Sequence, residues 1–298
     1  FIQIDNDYVG YNSIFNLIPL QIMRISLGHE YFHGIQWGYE ENLSNNAYFY
    51  EMSAMWFEDV LIPDGNDYLD GWVEPLLNNP TLDFNNIGNG YELGLFGHYL
   101  SSFLDSKGLE TAKNSTIIRE MWERYGSSYL NAFSSVKYVL ENNYGISFIE
   151  AWTDFISRNL YNGTDESFYY YADQALINPI DINPQNFGDT ESFTLHLDDE
   201  SVSIQSYSLN ELDTLFITHS THDYVGRVVA MPFDYNMNNL LWGSNNTSII
   251  TDDEVHFIYG SEFQDSIIIK LFDEYPYNYS LVDINPNSET YESTLSPI

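Results

Sequence analysis

His29-Glu30-Tyr31-Phe32-His33 sits between the apolar-rich runs Ile22-Met23-Arg24-Ile25-Ser26-Leu27 and Gly34-Ile35-Gln36-Trp37, and its reading decides the fold around it. Residues four apart share one face of a helix, so both imidazoles can reach a single metal ion. Glu30, beside the first of them, is placed to take a proton from a metal-bound water as general base. No proline falls between Pro19 and Pro63, so helices over about 18–38 and about 47–61 can form unbroken. The second carries Phe49-Tyr50-Glu51-Met52-Ser53-Ala54-Met55-Trp56, and Glu51 there supplies a third ligand. The expected metal set is His29, His33 and Glu51. The expected ion is Zn2+, because three protein ligands leave a fourth position for water.

These residues resemble the gluzincin-type zinc metallopeptidases, in which HExxH is followed by a ligand Glu in a Glu-x-x-Ala setting. Gly28-His29-Glu30-Tyr31-Phe32-His33-Gly34-Ile35-Gln36-Trp37-Gly38-Tyr39 and Glu51-Met52-Ser53-Ala54-Met55-Trp56-Phe57-Glu58-Asp59 are most similar to a group of secreted bacterial metalloproteases. The motifs cover about residues 4 to 70, with a looser match to about 125. Thermolysin-like enzymes place an Asp four residues after the ligand Glu, where this chain has Met55. The Gly-rich exopeptidase motif of the aminopeptidases is not visible upstream.

The resemblance implies a secreted zinc-dependent metalloendopeptidase, with a protein or peptide substrate and a secreted or cell-surface location. It also implies an oxyanion donor. Tyr91, in Tyr91-Glu92-Leu93-Gly94, is similar to the gluzincin tyrosine; His98, two turns further on, competes with it, and Tyr99 is weaker. Glu58 or Asp59 is expected to orient a ligand His in place of Met55. Gly28 and Gly34 flank the motif, and their small size is expected to allow close packing against the active-site strand, with tolerated filler the equal alternative for Gly34.

Composition narrows the partners. Nine Lys and Arg stand against 44 Asp and Glu, a net charge of −35, so a nucleic-acid partner is excluded for want of a basic footprint. There is no Cys among the 298 residues, so any metal is held by His and carboxylate. The most apolar run, about 14–27, is interrupted by Asn16, Pro19, Gln21 and Arg24, and no membrane insertion is expected. The chain opens directly on the strand-like Phe1-Ile2-Gln3-Ile4-Asp5, and we read it as an excerpt or processed form. Oligomeric state is not legible.

The pattern along the chain reads as α+β. A strand over 1–8, the two metal-site helices, an Asp/Asn/Gly-rich loop to about Gly90, and helices over 91–104, 117–125, 129–142 and 147–160 make a mainly helical zincin-like domain at 1–180. Pro, Asn and Gly over 177–189 mark a boundary. Short alternating runs such as Phe193-Thr194-Leu195-His196-Leu197 and Ile267-Ile268-Ile269-Lys270-Leu271 predict an antiparallel β-sandwich at 188–286. A polar tail or linker covers 287–298. His196, His219, His222 and His256 fall in the sandwich and are read as non-catalytic. Asp64-Gly65-Asn66-Asp67 and Asp252-Asp253-Glu254 make Ca2+ a weaker expectation, since no complete calcium loop is present. The alternative function is a non-catalytic cell-surface protein- or glycan-binding module that retains a zinc site.

Overall fold

The computed structural model describes residues 17–40, 46–69, 71–84, 90–105, 114–163, 172–180, 182–188, 190–197, 201–208, 214–219, 225–231, 238–240, 246–250, 254–262, 265–272, 281–282 and 292–293. The strand expected over 1–8 lies outside them, as does most of the expected tail. The chain divides into two compact units, Phe1–Ala151 with Arg158–Asp181, and Trp152–Ser157 with Ile182–Ile298. The class is α+β.

In the first unit α1 (Pro19–Gln36) begins with Pro19, whose missing N–H falls where a helix has no partner for it. Its buried residues Ile22, Ile25, Gly28, Phe32 and Gln36 recur at helical spacing and face α2 (Ala47–Leu61). A Cβ at Gly28 would lie 3.1 Å from Leu61 Cδ2 and 3.7 Å from Glu58 Cα. Among the described residues, then, Gly28 allows close approach of α2, not of a strand. Gly34 meets nothing within 4 Å.

Helix α2 is buried on almost every side, which makes it the centre of the unit. Phe49 stacks on Trp122 at 4.5 Å, and Tyr50 meets the same indole edge-on at 4.8 Å. Residues expected as plain loop contain a 3-10 turn at Asp67–Leu69 and a short helix α3 (Glu74–Asn78). Pro75 in the first turn permits that helix, and the buried Tyr68, Leu76 and Leu77 fix both pieces.

Gly90 has φ +94°, and a Cβ there would stand 2.3 Å from Tyr48 Cα. Only glycine fits, and it starts the 3-10 turn Tyr91–Leu93. The chain continues as α4 (Gly94–His98) and a π-helical turn, Tyr99–Leu104. Trp56 Nε1 donates to Ser101 Oγ at 2.9 Å, tying α2 to this segment. Helices α5 (Ile117–Ser127), α6 (Ala132–Val139) and α7 (Phe148–Asn159) follow.

The second unit holds two larger sheets. One has the order β1-β3-β8-β5-β6, from β1 (Gln185–Asn186), β3 (Ser201–Ser208), β8 (Glu254–Ser261), β5 (Val225–Met231) and β6 (Asn238–Leu240). The other has the order β2-β9-β4-β7, from β2 (Thr190–Leu197), β9 (Asp265–Phe272), β4 (Thr214–His219) and β7 (Asn246–Ile250). All pairs within them are antiparallel except β1 with β3. Strand β9 alternates strictly, with Ile267, Ile269 and Leu271 buried and Ser266, Ile268 and Lys270 exposed. These residues join Leu195, Tyr207, Val255, Phe257 and Tyr259 in one core cluster. Strand β3, Ser201-Val202-Ser203-Ile204-Gln205-Ser206-Tyr207-Ser208, lies within the span expected to form strands, with Val202 and Tyr207 buried. A further pair, β10 (Leu281–Val282) with β11 (Glu292–Ser293), is antiparallel.

Candidate metal centre

Helix α1 presents His29 and His33 one turn apart, with ring centroids 4.6 Å from each other. Helix α2 brings Glu51 to both. Glu51 Oε2 lies 3.0 Å from His29 Nε2 and 3.4 Å from His33 Nε2. Two ligand atoms on a tetrahedral zinc, each about 2.05 Å away, stand about 3.3 Å apart. The two edges that meet at Glu51 therefore already have about the length that such an ion requires. Among the described residues it is the group of three or more His, Asp and Glu whose ligand atoms come within 4.8 Å of one another. The loop at 64–67 joins no such group, and Asp252 and Asp253 lie outside the described residues.

The far nitrogen of each imidazole is held. His29 Nδ1 lies 3.0 Å from Glu58 Oε2. His33 Nδ1 lies 2.6 Å from Gln36 Oε1. Gln36 donates through Nε2 to Tyr50 O at 2.9 Å and Ser53 Oγ at 3.0 Å. Its oxygen is thereby left facing the histidine, and a carbonyl oxygen only accepts. Nδ1 of His33 therefore carries a proton, and without a metal Nε2 also donates to Glu51, a hydrogen bond that helps raise the His33 pKa. Of the two residues expected to orient a ligand His, Glu58 meets His29, while Asp59 lies 3.4 Å from His98 Nε2. Gln36 was not singled out from sequence. Its signal was its place three residues after His33, on the side of the helix that turns inward.

Electrostatics follow from this packing. Burial alone would lower the His29 pKa, but its hydrogen bonds to Glu51 and Glu58 raise it to about 10. Burial would raise Glu51, but the two histidines hold it down at about 2. Glu58 is raised to about 7, chiefly by burial. In the metal-free protein the group thus attracts a positive charge, supplied by protons. A divalent cation would supply the same charge by displacing the Nε2 protons.

Tyr91 stands at this group. Its ring lies 6.0 Å from that of His29, and Trp72 stacks behind it at 4.8 Å. Burial, then the charges of Glu51, Glu30 and Glu58, raise its pKa to about 12, so the hydroxyl keeps its proton at neutral pH. Glu30 is exposed, next to His29 on the helix. The structure parts Tyr91 from its competitor. His98 is buried, stacked on Tyr68 at 5.5 Å and facing Asp59, and is not brought to the three ligands. Burial lowers its pKa to about 4. Two helical turns carry it about 10 Å along the axis, into the core. Tyr99 is likewise core, stacked on Phe96 and Phe103. In the second unit His196 Nδ1 meets Ser266 Oγ at 3.0 Å, and His256 Nδ1 meets Ser206 Oγ at 2.7 Å. His222 lies outside the described residues.

No family model and no curated protein matches the chain. Among solved structures it is similar to PliG of Salmonella Typhimurium, a periplasmic inhibitor of g-type lysozyme, at 7% identity and a TM-score of 0.24, covering 29% of this chain and 94% of that one. A mutant of the Escherichia coli PliG inhibitor gives 5% identity and a TM-score of 0.23, with the same coverage. The expectation of a secreted metalloendopeptidase is corrected at this point: both of these solved structures are lysozyme inhibitors, and neither is a metallopeptidase. Nor is the cell-surface binding alternative supported. At such identity and TM-score the inhibitors' role does not carry over to this chain. Among the described residues, no helix is long and apolar enough to cross a membrane.

Proposed function

We propose that His29, His33 and Glu51 hold one zinc ion and that the helical unit is a zinc-dependent hydrolase. One observation carries the reading: both Nε2 atoms converge on one Glu51 oxygen at 3.0 and 3.4 Å, while each Nδ1 is occupied by a partner behind it. Zinc bound there supplies a water of lowered pKa and polarises a substrate carbonyl.

The remaining work falls to the chain. Glu30, exposed and adjoining His29, accepts the water proton and returns it to the leaving group. Tyr91 keeps a hydroxyl proton to donate to the oxyanion as it develops. Glu58 fixes the His29 ring. The partial exposure of the ligand side chains, 12% for His29, 20% for His33 and 21% for Glu51, supports access from one side. We further read the two large sheets of the second unit as an antiparallel β-sandwich, supported by their shared core cluster.

The test is hydrolysis of a panel of chromogenic esters and amides by zinc-loaded wild type and Glu30→Gln. Wild type is expected to turn over at least one, and the variant to keep zinc while losing turnover. Turnover that survives in Glu30→Gln, or in protein stripped by a chelator, sinks the reading.

A further inference from the structure

The two zinc-facing histidines have unlike partners behind them. His29 is backed by a carboxylate, Glu58, at 3.0 Å, whereas His33 is backed by an amide, Gln36, at 2.6 Å. Gln36 is fully buried. Both hydrogens of its amide nitrogen go to α2, one to Tyr50 O and one to Ser53 Oγ. Ser53 Oγ also accepts from Trp122 Nε1 at 3.0 Å and donates to Phe49 O at 2.7 Å. A serine hydroxyl has one hydrogen, and that hydrogen is committed to Phe49. The Gln36 amide therefore cannot flip without setting its nitrogen against the His33 N–H and its oxygen against Tyr50 O.

We infer that Gln36 is a positioning residue for His33: it locks the imidazole as the Nδ1–H tautomer and holds Nε2 on the ion that His29 and Glu51 share. The inference rests on the zinc reading above. A buried glutamine serves as ordinary helix glue when its bonds run only between helices. Here the shortest of them runs to a ligand ring. The neutral amide also leaves His33 the less negatively supported of the two imidazoles, since a carboxylate partner makes a ring more basic than an amide does.

The test compares variants by zinc competition against a chromophoric chelator and by the visible spectrum of the cobalt-substituted protein. Gln36→Leu removes the acceptor and is expected to weaken zinc binding about 10- to 100-fold and to change the cobalt band positions. Gln36→Glu keeps an acceptor on Nδ1 but loses the donors to Tyr50 and Ser53; it is expected to be less stable and to hold zinc at least as tightly as wild type. Trp56→Phe removes a comparable buried hydrogen bond, to Ser101, away from the site. It is expected to lower stability with zinc affinity unchanged. If zinc affinity instead follows stability across all three variants, or if Gln36→Leu binds zinc as wild type does, Gln36 is structural and the inference falls. If wild type itself takes up no zinc, the zinc reading fails and takes this one with it.

Discussion

Replacing Glu58 by Gln should move metal affinity and fold stability in opposite directions. Glu58 is 3% exposed, with Oε2 placed 3.0 Å from His29 Nδ1. Burial raises its pKa from 4.5 to about 7. Between those values the folded protein binds a proton that the unfolded chain releases, so stability falls as pH rises through that window and stays lowered above it. The gap from 4.5 to about 7 corresponds to about 3 kcal/mol at pH 8. That pKa already includes the hydrogen bond from His29, so Gln, which stays neutral, escapes the whole penalty. The metal-free variant should therefore be more stable than wild type at pH 8, by up to about 3 kcal/mol. With zinc the sign reverses. An amide supports His29 less well than a carboxylate, and affinity should drop about 10- to 100-fold, or about 1.4–2.7 kcal/mol. Urea unfolding of metal-free protein at pH 8, with zinc competition on the same samples, measures both. A variant that is clearly less stable without metal, yet binds zinc as wild type does, would refute the reasoning and make Glu58 an ordinary structural ion pair.

Other outcomes follow from the same geometry. Gly90→Ala places a Cβ 2.3 Å from Tyr48 Cα at a φ of +94°; backbone strain of about 1–3 kcal/mol adds to the displacement of Tyr91, and a urea midpoint unchanged from wild type would contradict this. His256 is buried with a pKa lowered to about 4. Its unfolded form binds a proton from about pH 6.5 downward, so the second unit should lose up to about 3 kcal/mol as pH falls from 6.5 to 4. His256→Gln should flatten that part of a calorimetric pH series, and an unchanged slope would count against it. Tyr91→Phe should keep zinc and lower kcat about 10²- to 10³-fold, since it removes one oxyanion donor; an unchanged kcat would release Tyr91 from that role.

The ligand set was legible because helical periodicity fixes which side chains share a face, and His29 and His33 need nothing further to converge. Glu51 was legible through its motif, although only the packing of α2 on α1 brings its Oε2 to both rings. The supporting residues were less legible. Glu58 and Asp59 are adjacent in sequence and chemically alike, and the rotation of α2 alone sends one to His29 and the other to His98. Tyr91 and His98 posed the same problem: two turns of helix separate a residue at the site from one in the core, and sequence does not show where the core begins. Gln36 was not singled out, because its burial depends on Tyr50 and Ser53 of another helix. In the second unit the apolar run Ile267-Ile268-Ile269 marked β9, while the packing of the sheet alone decides that Ile268 faces outward.

The central claim is the metal, and zinc content is its most direct measure. Wild type and the His29→Ala/His33→Ala double variant, each dialysed against micromolar zinc and then buffer, should be analysed by elemental mass spectrometry. The account predicts about one zinc per wild-type chain and none in the variant. A zinc-free wild type, or equal zinc in both proteins, would contradict it.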